Sequence, residues 1–397
     1  MPDLLHISDD PAWNYCLNLL MDDSISEVES NGPDQFFVKR SGRRVHLTQI
    51  VFPNVESYAK SIEVGLVPLI TSHLDFEEDG YIFEGPIRYT ADEKRIRGRC
   101  HIVLSPAADS PQVTIAKKST SLATLDAIAA KGSMANEMLA FVKASVAADM
   151  TTVLSGGTGA GKTTFLEALC KLIPLETRIG VAEDTPELDL PHPNATYLHS
   201  VPWRPGMDEK DVASLSWVVA QFNRMRTDKL IIGETRGKEF GDFLIAANSG
   251  MEGSLTTIHA NEPTRALDKM TNFALKGAPG TPIRSINTDI ATSIDLVFQL
   301  AYFKSDSRYR MTAIQEITST IGGTEAAAIT TNRLYTYNQE DDTWKKDGQP
   351  TDQLREKFRI HGVDSSQFMK TAPGTVLLAP GGAAVTEGPG GLPVRRA

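Results

Sequence analysis

The eight residues Gly156-Gly157-Thr158-Gly159-Ala160-Gly161-Lys162-Thr163 constrain this chain more than any other stretch. They fit the spacing G-x-x-x-x-G-K-[ST] without interruption, and their flanks fit as well. Upstream, Thr151-Thr152-Val153-Leu154-Ser155 is short, apolar and β-branched, which predicts a buried strand running into the loop. Downstream, Phe165, Leu166, Leu169, Leu172 and Ile173 share one helical stripe, and Pro174 stops the helix. Strand, glycine loop and helix in this order make an anion cradle. Glycines let successive backbone N–H groups turn inward, and the helix N-terminus adds partial positive charge. The spacing predicts that the chain binds a nucleoside triphosphate, ATP being the expected one. Lys162 reaches the β- and γ-phosphates, the Thr163 hydroxyl holds Mg²⁺, and Thr164 extends the cradle into the helix.

A chain of 397 residues has room for two or three domains, and 41% hydrophobic with 23% charged residues is ordinary for a globular protein. The net charge of −10 leaves no excess of cations for coating nucleic acid, so no stable nucleic-acid partner is expected. Cys16, Cys100 and Cys170 are far apart and form no C-x-x-C pair, which argues against a disulfide scaffold or a four-cysteine zinc site. Neither a signal-peptide pattern nor a run of about eighteen apolar residues occurs. The expected location is cytoplasmic, with any membrane association peripheral and through partners.

Pro11 to Met21 predicts a helix with Trp13, Cys16, Leu17, Leu20 and Met21 on its apolar side. Ile25–Glu29, Phe36–Val38 and Val45–Leu47, separated by turns at Asn31-Gly32-Pro33-Asp34 and Ser41-Gly42, predict a β-meander. A helix around Tyr58 to Val64 and strands near Tyr81–Phe83, Ile96–Leu104 and Gln112–Ile115 complete a small α+β domain over 1–116. Residues 117–121 read as a polar linker or hinge. From 122 to 370, alternating helices and buried strands predict an α/β nucleotide-binding domain with a parallel sheet. Its strands should include Val153–Ser155, Arg178–Ala182, Lys229–Ile232, Gly253–Thr257 and Asp295–Leu300. Residues 371–397 are rich in Gly and Pro and are expected to form a disordered tail.

Two apolar strands end in acids, Ile179-Gly180-Val181-Ala182-Glu183-Asp184 and Leu230-Ile231-Ile232-Gly233-Glu234. In a parallel sheet, strand ends of this kind open on the ligand crevice. Hydrolysis needs a carboxylate to orient or deprotonate a water, and Mg²⁺ needs acidic partners. Gly233 stands where many phosphate-loop enzymes carry a magnesium-binding Asp, so the metal shell must be completed differently. The alternatives are structural: Glu183 and Asp184 capping the turn that Pro186 begins, and Glu234 pairing with Arg236. His259 follows an apolar stretch and, taken alone, reads as a packing residue.

Together these stretches resemble the secretion-ATPase superfamily that drives type II secretion, type IV secretion and type IV pilus assembly. Four boxes stand in that family's order: the phosphate loop, Glu183-Asp184-Thr185-Pro186-Glu187-Leu188, the stretch Met225 to Gly237, and the box ending His259-Ala260-Asn261. Glu29-Ser30-Asn31-Gly32-Pro33-Asp34 and Ser293-Ile294-Asp295-Leu296-Val297 are similar to the branch that assembles Tad (Flp) pili, the CpaF type, with type IV secretion traffic ATPases close behind. The resemblance spans about residues 10 to 370.

It implies a RecA-like catalytic domain, a homo-hexameric ring, and partners in an inner-membrane platform or secretion channel. Glu183 would activate water, Glu234 would be the second carboxylate near the metal, and His259 would sense the γ-phosphate. Arg224 and Arg226 match basic positions before the second acidic strand and Arg204 matches an arginine of the intervening loop, all three expected to bind the nucleotide. Thr227 stands where many relatives have proline, and Lys117-Lys118 replaces an arginine pair, leaving Arg95, Arg97 and Arg99 as alternative fingers. The family mechanism is closure of two domains around ATP and Mg²⁺, released by hydrolysis. The rival readings are a RecA-like nucleic-acid translocase and a non-hydrolysing ATP-binding scaffold.

Overall fold

Short strands joined by tight turns build the N-terminal part of the chain. The computed structural model describes residues 11–70, 82–91, 94–117, 124–201, 212–319, 329–380, 386–387 and 393–394. They fall into two compact units, one within Met1–Leu122 and one within Ala123–Ala397, except that Thr185–Glu187 and Val201–Val212 group with the first.

The first unit holds α1 (Pro11–Leu19), β1 (Ile25–Ser30), β2 (Phe36–Arg40), β3 (Arg43–Leu47), α2 (Val55–Gly65), β4 (Ile82–Ala91), β5 (Lys94–Val103) and β6 (Gln112–Lys117). Its six strands form one antiparallel sheet in the order β3-β2-β1-β6-β5-β4. Ser41 and Gly42, at φ 48° and 81°, make the tight turn between β2 and β3. Asn54 opens α2 by accepting the Ser57 N–H, a reciprocal cap. Trp13, Phe36 and Tyr58 are fully buried together, and their polar atoms are satisfied. Trp13 Nε1 donates to Ser61 Oγ at 3.0 Å and Tyr58 donates to Ser30 Oγ at 2.7 Å.

The second unit alternates helix and strand: α3 (Leu125–Ala130), α4 (Asn136–Ala147), β7 (Thr152–Gly156), α5 (Lys162–Cys170), β8 (Ile179–Glu183), β9 (Ala195–His199), α6 (Leu215–Met225) and β10 (Lys229–Thr235). It continues through α7 (Glu239–Asn248), β11 (Leu255–Ile258), α8 (Pro263–Gly277), α9 (Ile283–Ser293), β12 (Leu296–Phe303), β13 (Arg308–Ser319) and β14 (Ile329–Asn338). Next come β15 (Thr343–Lys346), α10 (Asp352–Ile360), α11 (Ser366–Met369) and β16 (Val376–Leu377), and then the two-residue strands β17 (Thr386–Glu387) and β18 (Pro393–Val394), which pair antiparallel with each other. A ten-stranded sheet runs β16-β15-β14-β13-β12-β7-β11-β10-β8-β9. From β12 to β9 every pair is parallel, and from β12 to β16 every pair is antiparallel.

Strand side chains alternate between two cores. Leu154, Ile231 and Phe298 pack with α3, α4, α5, α10 and α11, whereas Val153, Ile232 and Val297 pack with α6 to α9. The five expected parallel strands are present as β7, β8, β10, β11 and β12. The antiparallel extension changes a parallel sheet into a mixed one. The expectation of a structureless segment from 371 is corrected at its start. Val376–Leu377 pairs with Trp344–Lys345, and Lys346 N donates to the Thr375 carbonyl at 2.9 Å. Linker residues 118–121 lie outside the described residues. Among the described residues, no helix is long and apolar enough to cross a membrane. All three cysteines are buried and unpaired with one another, and burial pushes the Cys100 thiol up to about 12.

Candidate functional site

The phosphate loop follows β7, a strand buried along its whole length. Gly159 and Gly161 take φ of 74° and 85°, the left-handed conformation that side chains disfavour, and Gly161 caps the N-terminus of α5. At Gly157 a Cβ would stand 2.8 Å from Asn261 Oδ1, so the loop lies directly against the Asn261 side chain. Lys162 is buried over its own loop. Its Nζ donates to the carbonyls of Gly156 (2.9 Å) and Gly157 (3.0 Å) and to His259 Nδ1 (3.0 Å).

His259 follows the end of β11. Its Nδ1 faces an ammonium, which only donates, so Nδ1 accepts and the ring proton sits on Nε2. Nε2 then donates to Glu234 Oε1 at 2.9 Å. Burial lowers the His259 pKa and the Lys162 charge lowers it further, more than Glu234 raises it, which favours this neutral tautomer. Glu234 also receives both Nε (2.7 Å) and Nη2 (2.8 Å) of Arg236. Burial alone would raise its pKa; the Arg236 hydrogen bonds and the neighbouring His259 and Lys162 hold it below the usual carboxylate range.

The backbone explains why Glu234 points this way. Ile232 pairs with Thr256 but Thr235 pairs with Ile258, so β10 carries one extra residue across Gly233–Glu234. Such a bulge re-aims a side chain at a strand end. The Glu239 side chain fixes the turn that follows, accepting from Arg236 N and Gly237 N at 2.5 and 2.6 Å.

Glu183 ends β8 beside Gly233 and is only 3% exposed. Its Oε1 accepts from Leu188 N at 2.9 Å, so it also fixes the following turn, while Asp184 accepts from Ser200 Oγ at 2.7 Å. A Cβ at 233 would lie 3.0 Å from Glu183 Oε1 and 3.1 Å from its Cγ. The Glu183 carboxylate thus occupies the room a side chain at 233 would need. That is the physical reason for glycine there.

Thr163 and Thr164 are partly buried in the first turn of α5, and Thr158 is exposed on the loop. Arg224 and Arg226 are exposed and precede Lys229, the first residue of β10, whereas Glu234 is near its end. In a parallel sheet these are opposite edges. Within one chain, the fold does not bring Arg224 and Arg226 to the cradle that the sequence assigned them. Arg204 lies outside the described residues, as do the side chains of Arg95 and Arg97. Among the described residues, no three His, Cys, Asp or Glu cluster as metal ligands. Asn261, Glu239 and Tyr309, whose ring lies against Gly161, were not singled out from sequence as site residues. The contacts of Asn261 and Tyr309 with the loop are made by folding, whereas Glu239 acts within its own turn; Asn261 alone carried a local signal, two residues after His259.

Comparison with known proteins agrees with this architecture. The family model described as type II/IV secretion system protein matches residues 14–336. A Mycobacterium tuberculosis protein named for conjugal transfer is 31% identical over 233 residues, which is 58% of this chain and only 64% of the relative's length. The conjugal transfer protein TrbB of Rhizobium radiobacter is 25% identical over 303 residues, covering 75% of this chain and 86% of TrbB. Among solved structures, the Legionella pneumophila ATPase DotB aligns at a TM-score of 0.54 with 14% identity, over 93% of this chain and 88% of DotB. The pilus retraction motor PilT with bound ADP aligns at 0.53 with 13% identity, over 88% and 86%. These likenesses show a RecA-like domain accompanied by a smaller antiparallel-sheet domain. The chain belongs to the family of type II/IV secretion system proteins.

Proposed function

We propose that this protein is a motor ATPase that hydrolyses ATP to drive type IV secretion or assembly of a type IV-like (Tad/Flp) pilus. One observation carries the reading. Lys162 and His259, 97 residues apart in sequence, meet at 3.0 Å, and the same imidazole reaches Glu234 at 2.9 Å. A phosphate-binding cation, a neutral imidazole and an ionised carboxylate in one hydrogen-bonded row suit phosphoryl transfer to water.

In the proposed cycle the triphosphate accepts hydrogen bonds from the amides of residues 157–164, and Lys162 moves from the loop carbonyls to the β- and γ-oxygens. Released by the lysine, His259 Nδ1 takes up a proton from solvent and donates to a γ-phosphate oxygen, while Nε2–H stays on Glu234. Glu183 positions and deprotonates the attacking water, and Glu234 holds His259 and Arg236 in place. The donors here suit Mg²⁺: hard oxygens from Thr163, Glu234 and Glu183, with Glu234 kept ionised. Those residues would hold it, and it would neutralise charge on the phosphates.

The conjugal names of the relatives favour transport across an envelope. The proposed working form is a homo-hexamer at the cytoplasmic face of the inner membrane, docked on platform or channel proteins. Phosphate release by the wild type and Lys162→Ala, with MgATP, tests the assignment. Turnover by the wild type and its loss in the variant are expected, and equal turnover would contradict it. Addition of DNA should leave the rate unchanged; strong, salt-sensitive stimulation would favour the translocase instead.

A further inference from the structure

The hairpin of β12 and β13 extends past the phosphate loop. Leu300 of β12 pairs with Gly156, the last residue of β7, so Ala301, Tyr302 and Phe303 continue beyond the end of that strand. The hairpin returns through Tyr309, directly opposite Tyr302, with ring centroids 4.8 Å apart. Tyr309 leans on the loop itself. A Cβ built at Gly161 would lie 3.1 Å from its Cδ1 and 3.3 Å from its Cε1. Yet 49% of Tyr309 remains exposed.

The next residue holds the hairpin rigidly. Arg310 is fully buried, with Nε donating to Asp342 at 3.0 Å and Nη2 to Asp306 at 2.9 Å. An aromatic ring is therefore held against the N-cap of the phosphate-binding helix in a residue that is about half exposed. A nucleotide whose phosphates sit in the loop must carry its base and ribose over the rim of this cradle. Aromatic faces hold bases by stacking irrespective of base edge, and a preorganised ring loses little freedom in doing so.

From this placement we infer that Tyr309, supported by Tyr302, is the platform for the nucleobase of the bound nucleotide. The inference rests on the nucleotide reading of the loop and adds a base subsite to it. The platform recognises the nucleoside rather than the phosphates, so it contributes affinity for ATP and none for inorganic tripolyphosphate.

Calorimetric titration of the full chain separates the two contributions. Wild type, Tyr309→Ala and Tyr309→Phe are each titrated with ATP and with tripolyphosphate in the presence of Mg²⁺. Tyr309→Ala should bind ATP about 10-fold more weakly and tripolyphosphate within about 2-fold of wild type, and Tyr309→Phe should retain ATP affinity. Retained tripolyphosphate binding shows that the loop is intact in the variant. Equal losses for both ligands, or unchanged ATP affinity in Tyr309→Ala, would overturn the platform alone. A wild type binding neither ligand would overturn the nucleotide reading, and the platform with it.

Discussion

Lys162, His259 and Glu234 are chemically interdependent, because each sets the protonation state of the next. The neutral imidazole accepts from the lysine and donates to the carboxylate; an imidazolium cannot accept. Folding holds His259 below its ordinary value of 6.5, so its contribution to stability is complete above 6.5 and is lost as pH falls towards the folded value. Glu234, held below 4.5, acts in the same direction in a more acidic window. Thermal midpoints followed from about pH 8 to about pH 5 should therefore fall more steeply in wild type than in His259→Gln. Parallel curves would remove His259 from the account. At position 233 the prediction is steric. Gly233→Ala forces the Glu183 carboxylate to give way by a few tenths of an ångström. Turnover should drop about tenfold or more while ATP affinity stays within about 2-fold, because a misplaced group costs rate before binding. Unchanged turnover would show that the position of Glu183 is not critical. Much of this site was legible in the chain: the loop by its spacing, and the two acids by the apolar strands they end. What the chain could not show was the bulge that turns Glu234 towards His259, or the packing of Glu183 over Gly233. Both depend on strand register, which local sequence does not encode.

At the scale of elements, the parallel strands were readable because β7, β8, β10 and β11 are short, apolar and nearly or wholly buried. The antiparallel extension hid itself behind charge. Arg310, Glu316 and Lys346 are all at most 2% exposed, yet a residue-by-residue reading assigns such side chains to solvent. Each is buried with a distant partner: Arg310 with Asp342, Glu316 with Asn332 and Thr351, and Lys346 with Glu137 at 2.9 Å. Trp344 anchors this part, fully buried and donating from Nε1 to the Met311 carbonyl at 2.7 Å. Trp344→Ala should cost about 3–5 kcal/mol in denaturant unfolding, since it opens a cavity and leaves a carbonyl without its donor. A loss of less than about 1 kcal/mol would mean that the extension is not packed as described. The same strand recruits Val376–Leu377 through backbone pairing, which Gly- and Pro-rich composition cannot reveal.

For the whole molecule, the proposed ring would make the isolated subunit an incomplete machine. Arg224 and Arg226, remote from the cradle of their own chain, are exposed and remain available to a neighbouring copy. Sedimentation with MgATP should shift the protein to a hexamer, and a protein that stays monomeric while hydrolysing ATP at full rate would contradict the ring. The conjugal names of the relatives make type IV secretion components the first partners to test by co-purification. The central chemistry lies within one subunit. The most direct test is single-turnover ATP hydrolysis by Glu234→Gln beside wild type, with ATP binding measured on the same samples. The variant should bind ATP as wild type does but release phosphate at least about 100-fold more slowly. Phosphate release at the wild-type rate would contradict it.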